Sequence, residues 1–127
     1  MSKALKFTFL FHSIVAFLVG APLLAAPGRF LDLFGWAPVD PLLDRVLGAA
    51  LLGLAWSSYR GWRAVDNAQV PILVEMEAIF CILACLGLLR HLLIAWYPPI
   101  VWVVFAILVV FAIAWIVFWI KKPKANS

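Results

Sequence analysis

The sequence predicts an all-α membrane protein: a four-transmembrane-helix bundle with a short interfacial amphipathic segment between helices 1 and 2. Composition is the first reason. The 127-residue chain is 67% hydrophobic and 13% charged, whereas a soluble domain is about half apolar and a quarter charged. Size is the second: a chain this short has too little interior to bury so much apolar surface in water. The third is the arrangement of the apolar residues in long runs, most of them near the ~20 residues that span a bilayer. We read residues 1–127 as a single membrane domain.

The first helix is predicted over 5–26, with Pro22 bending its outer end. Lys3 and Lys6 ahead of an apolar run also suit a signal peptide. Cleavage after Ala26, however, would put Leu24 at the −3 position and Pro27 just past the cut, and cleavage after Ala21 would put Pro22 there. Both sites are poor, so the segment is expected to remain as a helix. Pro27-Gly28-Arg29 breaks it. Residues 28–36 then interleave Phe30, Leu31, Leu33, Phe34 and Trp36 with Asp32 and Gly35, the pattern of a piece lying along the outer interface.

Asp40 can cap a second helix over 41–59, with Pro41 at its first position. A polar connection follows, carrying Arg60, Arg63, Asp66, Asn67 and Gln69. Pro71 opens a third helix, over 71–96. The turn at Tyr97-Pro98-Pro99 is so short that the fourth helix, over 99–120, must fold back antiparallel to the third. Ala16 and Gly20 in the first helix, and Ala49 and Gly53 in the second, form small-xxx-small pairs that let helix backbones approach closely in lipid.

Charge sets the orientation. Lys3, Lys6, Arg60, Arg63, Lys121, Lys122 and Lys124 fall on one side, and Arg29, Arg45 and Arg90 on or near the other, so both termini are expected in the cytoplasm. Trp102 at one end of the last helix, and Trp115 and Trp119 at the other, fit aromatic belts at the two interfaces. The net charge of +4 is spread over the ends of apolar runs. No basic patch tracks a phosphate backbone, which argues against nucleic acid.

Two helices carry charge at depth. Between Glu77 and Arg90 the apolar stretch covers about 18 Å, and between Arg45 and Arg60 about 21 Å, against a hydrocarbon core about 30 Å thick. Charges at depth face the bundle interior and pair. The rise from Asp44 to Arg60 is about 24 Å and from Glu75 to Arg90 about 23 Å. The expected arrangement clamps these antiparallel helices at both ends, by Asp44–Arg90 outside and Arg60–Glu75 (or Glu77) inside.

His12 lies near the middle of the first helix, beside Thr8 and Ser13. An intramembrane histidine is a candidate proton relay or ligand, so His12, Glu77 and His91 form the candidate ligand or proton site. The second histidine, His91, lies near the opposite side of the membrane, which argues against a bis-histidine haem within one chain. Cys81 and Cys85 share a helix face about 5–6 Å apart, too wide for a relaxed disulfide. The offset from Cys85 to His91 is about 9 Å, too far for one metal ion. Glu75 and Glu77 sit toward the cytoplasmic end rather than at the midplane, where exporter sites lie. Phosphate loop, nucleophile elbow, zinc motif and CxxC are all absent. No cofactor is expected.

Ala26-Pro27-Gly28-Arg29-Phe30, Gly35-Trp36, Asp40-Pro41 and Arg45-Val46-Leu47-Gly48-Ala49-Ala50-Leu51-Leu52-Gly53 stand in an order that resembles small four-helix bacterial membrane proteins, loosely DoxX-like in pattern. The resemblance covers roughly residues 5–60. It implies a multi-pass protein of the bacterial inner membrane and carries over no catalytic residue. The expected function is that of a small non-enzymatic accessory or interaction subunit, self-associating or part of a larger membrane complex. The alternative is a carrier or binder of a lipophilic or cationic small molecule. A third reading is a redox accessory contacting quinone, haem or pigment.

Overall fold

The computed structural model describes residues 1–36, 40–65 and 68–121. Among these, five helices follow one another: α1 (Lys3–Ala25), α2 (Pro27–Leu33), α3 (Pro41–Arg63), α4 (Val70–Ile94) and α5 (Pro99–Ile120). No strand occurs among the described residues. Prolines stand in the first turn of α2, α3, α4 and α5, where the missing N–H has no helical partner to lose and the fixed φ suits the helix. Ser2 and Asp40 cap α1 and α3, accepting from Leu5 N at 3.1 Å and Leu42 N at 3.0 Å.

The segment expected to lie along the interface is the seven-residue helix α2. It closes with Gly35 in the left-handed region, φ +69. Gly35 N bonds Asp32 O and Trp36 N bonds Leu31 O at 3.1 and 3.0 Å, the paired bonds of a Schellman ending.

Three helices, α1, α4 and α5, are long and apolar enough to cross a membrane. α3 is as long as α1. Asp44, Arg45, Arg60 and Arg63 near its ends and Ser57-Ser58 within it dilute its apolar run. The burial pattern inverts that of a soluble protein: Glu77 and Ser58 are buried, while Phe7, Leu18, Leu83 and Val110 face outward. Such a surface suits hydrocarbon, and the chain has the profile of a helical membrane protein.

The helices form two antiparallel pairs, α1 with α3 and α4 with α5. The first pair is set by residues without bulk. Gly20 and Gly48 meet where the helices cross: a Cβ on Gly48 would lie 2.6 Å from Leu24 N and 2.8 Å from Gly20 O. Farther along, Gly61 makes room for the Phe9 ring. Ala16 and Gly20 are buried here. Ala49 and Gly53 are not used in this way. Ala49 is exposed and a Cβ on Gly53 would meet nothing within 4 Å. One residue along a helix is about 100° of rotation, so packing through Gly48 turns Ala49 outward.

A shared hydrophobic core joins the two pairs at one end only. It comprises Leu5 and Phe9 of α1, Val70, Val74, Ala78 and Cys81 of α4, and Phe111, Ala112 and Trp115 of α5. At the other end each pair buries its own residues: Leu23 and Leu31 in the first, Leu92 and Val101 in the second.

The contrast between the two α3 glycines is measurable. Gly48→Ala should lower stability in detergent by about 1–3 kcal/mol, since backbone must move to admit the methyl group. Gly53→Ala should be neutral or gain up to about 1 kcal/mol from helix propensity. Thermal unfolding of both variants followed by circular dichroism checks this.

Candidate functional site

The shared core encloses a polar centre built from three helices. α1 brings His12, buried on the face that also carries Leu5, Phe9, Ala16 and Gly20; the 3–4 residue spacing puts them in one stripe. α3 brings Ser57 and Ser58, and α4 brings Glu77. His12 is 6% exposed, and Ser58 and Glu77 are fully enclosed.

The hydrogen bonds run in a defined direction. Ser58 Oγ donates to Glu77 Oε1 at 2.7 Å. Its single proton is thereby used, so in its 2.9 Å contact with His12 Nδ1 it accepts. With Glu77 as a carboxylate, this arrangement requires the Nδ1–H tautomer of His12, and the chain then reads Nδ1–H to Ser58 to carboxylate. Ser57 Oγ lies 2.9 Å from Leu54 O and 3.3 Å from Glu77 Oε1; its shorter contact is the helix carbonyl, and the carboxylate is secondary. Glu77 Oε2 has no hydrogen-bond partner among the described residues. It lies 3.5 Å from His12 Nδ1, close enough for an ion pair when the imidazole is charged.

α5 closes the centre with aromatic rings. Phe111 and Trp115 meet the His12 ring edge-on, with centroids 4.6 and 5.7 Å away and interplanar angles of 78° and 88°. Trp115 is wholly buried, and its Nε1–H has no partner among the described residues. It does not sit in an interfacial belt as the sequence suggested; it packs against Phe9, tilted at 51° with centroids 5.0 Å apart, and covers the histidine. A further polar contact staples the first pair, Ser13 Oγ to Ala55 O at 2.8 Å.

His12 and Glu77, picked out separately in the sequence, thus meet. His91 does not join them: it is exposed in the last turn of α4. The end clamps expected between α3 and α4 are not formed. Among the described residues the one ion pair within 4.0 Å is His12–Glu77; neither Asp44–Arg90 nor Arg60–Glu75 makes one. The cause is the pairing of helices. α3 lies along α1 and only grazes α4, so charges matched in depth are not neighbours in the membrane plane. Arg45 instead donates to Leu24 O at the end of α1, at 3.0 Å, and Arg90 and Arg60 are exposed. Lys122, Lys124, Asp66 and Asn67 lie outside the described residues.

Cys81 is buried one turn from Glu77 and Cys85 is half-buried; both are free thiols. Among the described residues no three His, Cys, Asp or Glu side chains are grouped to hold a metal ion. The chemistry available is proton exchange along the His12–Ser58–Glu77 chain and capture of a cation or hydrogen-bond donor by Glu77. Comparison with protein-family models, curated proteins and solved structures returns no match.

Ser58 is the hinge of the network. Ser58→Ala should strand His12 Nδ1, leave Glu77 Oε1 with only the 3.3 Å contact from Ser57, and cost about 1–3 kcal/mol. Ser57→Ala, whose carboxylate contact is longer, should cost less. Unfolding curves for the two serine variants in one detergent decide the order; equal losses would contradict it.

Proposed function

We propose that the chain is a four-span bundle of the bacterial inner membrane with both termini in the cytoplasm, and that it binds and carries a small lipophilic or cationic molecule, with Glu77 as the point of capture. Here α3 crosses beside α1, its end charges reaching the headgroups, and α2 lies along the outer interface. The observation that carries the reading is the enclosed carboxylate–imidazole pair with one carboxylate oxygen left without a hydrogen bond. Ionisable groups inside a bilayer are costly to keep, and they mark substrate and ion pathways.

The fold suggests how capture would work. The two helix pairs are bridged at this centre by hydrogen bonds from Ser58 and Ser57 to Glu77 Oε1, with the His12 imidazole 3.5 Å from Oε2. A cation or donor that takes Glu77 competes with Ser58, Ser57 and His12 for the same oxygens. The bridge then weakens, and the pairs are freed to move apart from the end where they share no core. Binding and opening are coupled through one carboxylate. The Phe111 and Trp115 rings would face a captured cation.

An accessory role in a larger complex or a homo-oligomer is favoured by a different observation, the open Ala49–Gly53 stripe on the outward face of α3. Copurification from native membranes separates the two: a constant partner supports the accessory role.

Tetraphenylphosphonium, a lipophilic cation, is a suitable probe for capture. The purified protein should quench saturably in tryptophan fluorescence on titration. Trp115→Phe should remove much of the signal, and Glu77→Gln should weaken binding at least about tenfold, a loss of about 1.4 kcal/mol. Unchanged affinity in Glu77→Gln would refute Glu77 as the point of capture.

A further inference from the structure

We propose that the seam between α1 and α3 is a binding site for an anionic phospholipid of the leaflet on the side of Lys3 and Arg63, with an acyl chain in a groove between the helices and the headgroup phosphate held by Lys6 and Arg63. The site is separate from the Glu77 centre and does not rest on that reading.

The groove encloses about 500 Å³ and opens on the outer face of the pair. Ser13, Phe17 and Leu18 of α1 and Leu52, Trp56 and Tyr59 of α3 line it. Its one hydroxyl on the α1 wall, Ser13 Oγ, is already bonded to Ala55 O. Apart from the Tyr59 hydroxyl and the Trp56 indole N–H, the side chains that line the groove are apolar, which suits hydrocarbon rather than a polar ligand.

Both walls run into cations at the same end. On α1, Lys6 precedes Ser13 by seven residues and Phe17 by eleven, the spacing of one helix face. On α3, Arg63 follows Tyr59 by four residues and Trp56 by seven, again one face. Because the helices are antiparallel, the two cations arrive at the same end, Lys6 about 10 Å beyond Ser13 and Arg63 about 6 Å beyond Tyr59. Lys3 and Arg60 flank them. All four are exposed, and among the described residues none has an ion-pair partner. No acidic residue lies on α1, and on α3 the acidic side chain is Asp44, at the far end. The tail of the site is therefore mostly apolar, and its head gathers exposed cations with no ion-pair partner among the described residues.

Aromatic residues mark the junction. Trp56, Tyr59 and Trp62 pack in succession as tilted pairs, with centroids 5.7 and 5.9 Å apart. Amphipathic rings concentrate at the level where acyl chains give way to headgroups. Here that level falls between the groove and the cations, where the glycerol backbone of a lipid would lie.

Native mass spectrometry tests the site with the full chain in micelles containing equal dioleoyl phosphatidylglycerol and dioleoyl phosphatidylcholine. A cation near the headgroup favours an anionic lipid by about fivefold, so the wild type should retain phosphatidylglycerol over phosphatidylcholine by about an order of magnitude. The double variant Lys6→Gln/Arg63→Gln, changed only at exposed positions, should cut that ratio at least about fivefold. Leu18→Trp, which fills the groove from its lipid-facing wall, should reduce retention of both lipids while leaving their ratio in place. Equal retention of the two lipids by the wild type, a ratio unmoved by the double variant, or full retention in Leu18→Trp would overturn the proposal. So would a lipid-free dimer, which would assign the groove to a second copy of the chain.

Discussion

Hydrocarbon offers no partner to a carboxylate, so Glu77 must be satisfied from within the protein or leave the membrane core. Two other helices meet it at once: Ser57 and Ser58 of α3 reach its Oε1, and His12 of α1 lies 3.5 Å from its Oε2, which has no hydrogen bond among the described residues. The rest of the architecture follows from this. Since α4 has few other contacts with the first helix pair, the polar bridge fixes how α4 and α5 sit against α1 and α3. The apolar core around it, from Leu5 and Phe9 to Trp115, keeps water from the bridge and so strengthens its electrostatics.

The two kinds of packing divide the work. Within the α1–α3 pair the backbones touch through Gly20 and Gly48, and many small dispersion contacts along that seam hold it. Between the pairs the contact is made by large side chains and hydrogen bonds. Close-packed seams resist deformation. A bridge of hydrogen bonds can be broken by a competitor for the same acceptor. The molecule is thus stiff within each pair and adjustable between them, and the adjustable joint is also where its buried ionisable groups lie.

Much of this was legible in the sequence, and the misses share one origin. Helix starts were marked by Pro41, Pro71 and Pro99, and the ends fell within a few residues of the breakers. His12 and Glu77 could each be identified as polar groups too deep to reach water. Rise along a helix depends only on residue number, so depth can be computed. Rotation about the axis and the choice of neighbouring helix depend on packing, which one sequence does not encode in any periodic signal. The end clamps matched Asp44 with Arg90 in depth but assumed that α3 and α4 were partners. Ala49 and Gly53 had the right spacing but faced away by one residue. Ser58 lies near the end of α3 with nothing in its spacing to mark it, and Trp115 looked like a belt residue. Only the spacing of His12 from Phe9, Ala16 and Gly20, which places it on the small-residue face of α1, pointed to α3 as the histidine's neighbour.

The claim on which this account turns is that His12 and Glu77 are in contact inside the bilayer. Solid-state NMR on protein reconstituted in lipid, with ¹⁵N-labelled histidine and ¹³C-labelled glutamate carboxyl groups, measures that distance through their dipolar coupling. The account predicts a strong coupling between His12 Nδ1 and the Glu77 carboxyl, matching an approach of 3.5 Å, with the carboxyl shielded from water. A Glu77 carboxyl uncoupled from histidine and exchanging freely with solvent would contradict it.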